Sequence, residues 1–354
     1  MTAMDATGND LHHGGNLAAA EERFGRPRQG WLDLSTGINP AAYPLPALPP
    51  EAWARLPDGA QIAALLAAAQ DHYGVPDRGC IVAAPGSQAL IQWLPRLMHS
   101  PATDTTVAVL TPTYGEHARS WAGAGFAVDP VADFSAVTDR HTIVVLANPN
   151  NPDGRQIAPD RLLALAGRLA ARGGLLVVDE AFADLTPRLS LASAAGRPGL
   201  VILRSFGKFF GLGGLRLGFA LGPAALIDRL ADALGPWPVS GPATRIGAAA
   251  LTDSAWIAMT RQALANATQR LDALLTGAGL SLVGGTDLFR LVEHPAAPTL
   301  FERLGRAGIL VRDFPERPRW LRFGIPTESG FDRLSESLNG WTSHKDRNAS
   351  DVRA

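Results

Sequence analysis

The stretch TIVVLANPNNPDGRQIAPDRLLALAGRLAARGGLLVVDE, residues 142–180, decides the fold of this chain. It opens with the apolar run TIVVLA (142–147), passes through a proline-rich turn into the helix-period segment PDRLLALAGRLAARGG, and ends in a second apolar run, LLVVDE (175–180). Short apolar runs bounded by turn signals read as strands buried on both faces. The segment between them reads as a helix opened by Asp160 or its neighbours and closed by Gly173 and Gly174. Strand, helix, strand is the repeating unit of a parallel sheet.

Outward from this unit the pattern repeats. VAVL (107–110) and LVILRS (200–205) are further apolar runs, and GCIVAA, around Cys80, starts another. The alternation predicts a doubly wound α/β layer over roughly residues 55–235, with ligands at the carboxyl ends of its strands. After LGPWPVSGPATR the chain turns to a long helical stretch, about 243–279, followed by shorter elements ending in RWLRFGI. The expected organisation is an N-terminal arm and part of a small domain over residues 1–50, a large domain over 51–240, a small C-terminal domain over 241–341 and a flexible tail over 342–354.

Composition narrows the function classes. At 354 residues with 46% hydrophobic content the chain is long enough for two domains around a large core. A formal net charge of −1 gives no broad basic field for nucleic acid, so a small-molecule partner is expected. The single cysteine, Cys80, cannot form an internal disulfide and reads as an inert packed thiol, which fits a reducing cytoplasm. No apolar run approaches the roughly 20 residues of a membrane helix, and the N-terminus lacks the apolar segment of a signal peptide. No metal site is expected.

The polar motifs share a placement, because each sits where an apolar run ends. Asp179 closes VVDE, as a helix cap or turn residue would, or as a carboxylate facing a cationic ring nitrogen would. LANPNNPDG reads as a rigid turn through Pro149, Pro152 and Gly154. APGSQALIQWL passes from a strand through Gly86 and Ser87 into a helix at Gln88, where backbone N–H groups and the helix dipole suit a phosphate. Most telling is RSFGKFFGLGGLRLGFA (204–220): of 32 Lys plus Arg only Lys208 and Lys345 are lysines, and Lys208 stands among glycines and apolar residues. Lys345 lies in a polar tail. Desolvation lowers a lysine's pKa, and a neutral amine is the nucleophile that forms a Schiff base with an aldehyde cofactor. Ser205 and Arg216 flank Lys208 with a hydroxyl and a fixed cation, both suited to a phosphate.

The ordered set GSQ, TPTY, NPNNPDG, DEAF, SFGK and GLRLG resembles the fold-type I pyridoxal-phosphate enzymes, in the branch of the histidinol-phosphate aminotransferases, over about residues 80–325. The resemblance implies a large domain with a mainly parallel sheet flanked by helices, plus a smaller α/β domain. It implies pyridoxal 5'-phosphate on Lys208, with Asp179 paired to the pyridine nitrogen, Asn151 bonded to the ring's 3-oxygen and Tyr114 stacked on the ring. Gly86, Ser87, Gln88, Ser205 and Arg216 would hold the phosphate. Three positions depart from the family pattern: Phe182 stands where many relatives have tyrosine, Gly207 where a second hydroxyl precedes the lysine, and Leu56 where a tyrosine reaches the neighbouring subunit's phosphate.

Two further stretches, HHGGN and LDLSTGINP (32–40), resemble the threonine-phosphate decarboxylases of cobalamin biosynthesis, in which such elements lie over the substrate phosphate. They fall on His13, Gly14 and Ser35–Pro40, with Gly37 in place of the family's substrate-contacting asparagine. Arginines of the same pattern fall on Arg312 in GILVRDF and Arg322 in WLRFGI. Their planar forks suit phosphate and carboxylate, and Arg322 is assigned to the substrate carboxylate. The implied reaction is decarboxylation of O-phospho-L-threonine to (R)-1-aminopropan-2-yl phosphate, because the bond lost at Cα is the one standing upright to the ring. If Cα–H stands upright instead, the same residues transaminate, and an aminotransferase acting on histidinol phosphate or another amino acid is the alternative. A non-catalytic pyridoxal-binding module is the third reading. The family also implies a cytoplasmic homodimer with active sites at the interface.

Overall fold

The structure is a computed structural model that describes residues 14–98 and 105–341; His13 and the expected tail 342–354 lie outside the described residues. The described chain forms two compact units. One runs from Ala41 to Thr260, and the other combines residues up to Pro40 with those from Arg261 onward.

The larger unit is organised on a seven-stranded sheet. Its strands lie in the order Ile81–Ala84, Gly218–Leu221, Leu200–Ser205, Leu175–Asp179, His141–Ala147, Thr106–Leu110 and Ala127–Val131. Neighbours run parallel except at Gly218–Leu221, which is antiparallel to the strand on either side. The expected mainly parallel α/β sheet is therefore present. Val109, Val145, Val177 and Val201 stand in one row across four strands and share one core cluster. The apolar runs are continuous because both faces of these strands are covered.

Between the two decisive strands runs the helix Pro159–Ala170, with proline at its start and Asp160 in its first turn. Leu162, Leu165, Ala166 and Leu169 form its buried face. The chain then turns through Gly173 and Gly174 into the next strand. Two strands escaped the reading of apolar runs. Ala127–Val131 is an edge strand carrying Pro130, and only Val131 in it is buried. Gly218–Leu221 is short and follows a glycine-rich turn.

The units part at Thr260/Arg261 rather than near residue 240. The expected helical stretch 243–279 is two helices, Gly241–Thr252 and Ser254–Gly277, separated at Asp253. The first packs along the helix Gly59–Tyr73, with Gly247 set against Leu65 and Leu217, and so belongs to the larger unit. Ala41 to Pro50 also belong there, since the Tyr43 N–H donates to Phe210 O at 2.9 Å.

The smaller unit carries a four-stranded antiparallel sheet in the order Arg312–Asp313, Trp320–Gly324, Phe289–Glu293, Ser281–Thr286. Beside it Leu32–Asp33 pairs in parallel with Ile309–Leu310. Leu34, Leu271, Leu275, Leu304, Phe323 and Leu334 are among the residues of its core.

Candidate active site

The expected cofactor residues of the larger unit fall on one edge of its sheet. Four adjacent parallel strands end there, leading in turn to Ser205–Lys208, Asp179, Asn148–Asn151 and Thr111–Tyr114. Ile81–Ala84 runs in the same direction and ends at Gly86–Gln88, while Arg216 leads into the antiparallel strand from that same edge. Strands lie about 4.8 Å apart, so topology alone gathers residues 86 to 216 of the sequence along one rim.

Lys208 sits in the helical turn Phe206–Phe209. Phe206, Phe209 and Phe210 are fully buried, and Phe210 stacks on Phe206 at 4.4 Å and on Trp256 at 5.6 Å. Lys208 and Ser205 are half-buried, so the turn keeps its apolar residues inside and its two polar ones toward the rim. Gly207, where relatives carry a hydroxyl, has a steric reason: a Cβ there would lie 2.7 Å from the Cα of Gly213.

Asp179 is nearly inaccessible, and both its oxygens are held. Oδ2 lies 2.9 Å from His117 Nε2, and Oδ1 accepts the Ala181 N–H at 3.1 Å. His117 is itself buried and was not singled out in the sequence. It stands three residues after Tyr114, just inside the short helix that begins at Glu116, and the two rings meet edge to face at 6.0 Å. Phe182 is buried and brings no hydroxyl.

The NPNNPDG turn is tied down by two of its three asparagines. Asn148 exchanges hydrogen bonds with the Ile157 backbone at 2.9 and 3.0 Å. Asn150 donates to Pro112 O at 2.8 Å and accepts from the Thr113 hydroxyl at 2.8 Å, which bolts this turn to the one bearing Tyr114. Asn151 is half-buried on the same turn.

At the head of the Ser87–Met98 helix the Ala89 N–H donates to Gly86 O at 3.2 Å, and the N–H groups of Ser87 and Gln88 precede the helix's own ladder. Gly86 precedes them with φ +84°, and a Cβ on it would lie 2.7 Å from Arg216 Nη2. Only glycine lets the guanidinium come this close to the helix start. Arg216 holds its place by donating to Gly213 O at 3.0 Å. The Gln88 side chain turns to Tyr114, whose hydroxyl donates to Gln88 Oε1 at 3.0 Å. Burial, then the charges of Glu116 and Asp179, push the Tyr114 phenol pKa up.

In the smaller unit the GGN segment locks onto the LDLSTGINP segment. Gly14 has no room for a Cβ, which would meet Ser35 O at 2.2 Å, and the Gly15 N–H donates to Ser35 Oγ at 2.7 Å. Ser35 Oγ in turn donates to Asp33 at 2.6 Å. Arg322 Nη2 donates to Ser35 O at 2.6 Å, and Arg312 stands directly opposite Arg322 in the sheet. Burial and the neighbouring Arg312, opposed by Asp33, bring the Arg322 pKa down to about 10. Burial also lowers Arg312, against Asp313 and Glu316. Gly37 is buried in the same segment as Ser35. Gly14, Gly37, Arg312 and Arg322 thus belong to the smaller unit, and the cofactor residues to the larger one.

Among the described residues no cluster of three or more His, Cys, Asp or Glu is placed to hold a metal, and no helix is long and apolar enough to cross a membrane. Cys80 is a buried free thiol whose pKa burial pushes up.

The model of the family "Aminotransferase class I and II" matches residues 46–338. A threonine-phosphate decarboxylase of Sinorhizobium sp. is 50% identical over 92% of this chain and 97% of its own. One from Pseudomonas aeruginosa is 45% identical over 94% and 98%. Among solved structures, histidinol-phosphate aminotransferase from Sinorhizobium meliloti in complex with pyridoxal-5'-phosphate shares the fold, with a TM-score of 0.76 at 23% identity over 96% of this chain and 98% of that one. The chain belongs to the class I and II aminotransferase family and, within it, to the threonine-phosphate decarboxylases.

Proposed function

We propose that this protein is a pyridoxal-phosphate-dependent carboxy-lyase that converts O-phospho-L-threonine to (R)-1-aminopropan-2-yl phosphate and carbon dioxide, a step of cobalamin biosynthesis. The residues of the larger unit fit the cofactor. Lys208 offers an amine on an aromatic platform, Asp179 a fixed carboxylate, and the Gly86–Ser87 helix start with Arg216 an anion cradle that a Cβ at residue 86 would fill. Bound there, pyridoxal phosphate supplies the electron sink for the pair left at Cα when carbon dioxide departs.

The chain's own residues do the rest. His117 and the Ala181 N–H hold Asp179, whose carboxylate would pair with the pyridine nitrogen. Asn151 would bond the ring's 3-oxygen, and Tyr114 would stack on the ring. Ser87, Gln88, Ser205 and Arg216 would hold the cofactor phosphate. By the resemblance, Arg312 and Arg322 would grip the substrate's anionic groups, and Gly14, the Gly37 segment and His13, which lies outside the described residues, would serve its phosphate; anchoring of this kind decides which bond at Cα is cleaved. The phosphate of the substrate is untouched, and a proton takes the place of the carboxylate.

What favours decarboxylation over transamination is the likeness to threonine-phosphate decarboxylases at 50% and 45% identity, together with the GGN segment locked onto Ser35, whose carbonyl also accepts from Arg322. A homodimer in the cytoplasm is part of this reading. The support for the dimer is the exposed apolar side chains Leu45, Trp53 and Leu56 in one short segment, Trp53 being 70% exposed. The test is to incubate the protein with O-phospho-L-threonine and, separately, with histidinol phosphate plus 2-oxoglutarate. Carbon dioxide released in the first supports the reading; glutamate formed in the second without carbon dioxide in the first overturns it.

A further inference from the structure

Tyr114 is held by a hydrogen-bond chain with a fixed direction. Its hydroxyl donates to Gln88 Oε1 at 3.0 Å, and Gln88 Nε2 donates to Glu116 Oε2 at 3.1 Å. The same carboxylate oxygen lies 3.4 Å from Gln92 Nε2, and its partner Oε1 lies 3.4 Å from Arg119 Nη1. All three of these groups donate to Glu116. A carboxylate accepts and cannot donate, whereas a side-chain amide has one accepting end and one donating end.

Only one orientation of Gln88 satisfies both neighbours. With its NH2 group toward Glu116, its carbonyl oxygen must face Tyr114, and the phenol must then be the donor. Flipping the amide would set its oxygen against the carboxylate and turn its NH2, a donor, toward the Tyr114 hydroxyl in place of an acceptor. Glu116 thus decides the polarity of a bond it does not itself make.

We infer that Glu116 is a positioning residue that acts through Gln88, fixing the Tyr114 ring and holding its hydroxyl as a neutral donor turned to Gln88. Two consequences follow. The phenol is withheld from acid–base work, so Tyr114 serves the site by its ring face. And both ends of the Gln88 amide are engaged, so its contribution to the anion cradle is its backbone N–H at the helix start. The inference rests on the assignment of Tyr114 to the site made above, but its test is independent of turnover.

The chain contains three tyrosines, Tyr43, Tyr73 and Tyr114, so tyrosine labelled with 13C at Cζ gives three resonances in the full-length protein, and Tyr114→Phe identifies the one of interest. Its ionisation is followed as pH is raised, over the range in which circular dichroism stays constant. Glu116→Gln frees the amide to turn and offer NH2 to the phenolate, so the Tyr114 midpoint falls by about one pH unit or more. In a Gln88→Leu background the same substitution moves the midpoint by less than half as much. An equal shift in both backgrounds means that Glu116 acts on the phenol by charge alone and overturns the inference, as does no shift in either. Because no substrate is present, a failure here is separate from a failure of the carbon dioxide assay.

Discussion

Each unit buries arginine, and does so in opposite ways. In the larger unit Arg204 is enclosed with Glu180 and Asp184, donating to them at 2.8 and 2.6 Å, and its guanidinium lies 4.3 Å from the Tyr73 ring centre. Glu180 also accepts from the Ser190 hydroxyl and the Leu191 N–H, and Asp184 meets His72 at 3.2 Å. Burial alone would lower the Arg204 pKa, yet Asp184, Tyr73 and Glu180 outweigh it and the net direction is upward. In the smaller unit Arg322 faces Arg312, and burial wins: both are lowered. A cation surrounded by opposite charge braces a scaffold. A cation buried beside its like gains an opposing charge when an anionic ligand arrives. Successive strand residues point to opposite faces, so Asp179 turns to the site while Glu180 turns to Arg204 behind it.

The comparison breaks first at Arg204. Arg204→Met leaves two carboxylates buried without their cation and should cost about 3–5 kcal/mol, read as a lowered midpoint in chemical denaturation. A loss below about 1 kcal/mol would mean that the cluster braces nothing. Arg322→Met should do the reverse, lowering kcat/KM for O-phospho-L-threonine on the order of 100-fold while the ligand-free protein melts no lower, or about 2 °C higher. The sign follows from the shift: the folded pKa of about 10 lies below an arginine's ordinary value, so the charged form costs stability at neutral pH. That cost fades as pH rises through 10, and the melting difference should shrink with it. Gly207→Ser, which restores the hydroxyl of relatives, should destabilise by about 1–3 kcal/mol because Gly213 occupies the space, with no gain in cofactor affinity measured by titration. Arg312→Lys keeps the charge but loses the fork, and should lower kcat/KM about tenfold.

Lys208 and Asp179 were legible because each is an isolated polar group at the end of an apolar run, where parallel topology puts ligands. His117 was not, because a histidine in a short surface-like helix reads the same whether it faces solvent or a carboxylate. The sheet was legible where both faces are buried and illegible at Pro130, which interrupts the run. The larger unit runs on to Thr260, past residue 240, since helical periodicity over 243–279 says nothing about which core a helix packs on. Glu180 and Arg204 leave a trace in the sequence: opposite charges in consecutive, otherwise apolar runs. Gln88 was readable as a helix start, but its side-chain direction depends on Glu116, twenty-eight positions away.

The most direct test is where the cofactor attaches. The holoprotein is reduced with borohydride, digested and mapped by mass spectrometry; with only Lys208 and Lys345 as lysines, the assignment is unambiguous. The account predicts a phosphopyridoxyl group on the peptide containing Lys208 and on no other. A label on Lys345 or the terminal amine, or no label on a protein that turns over substrate, would contradict it.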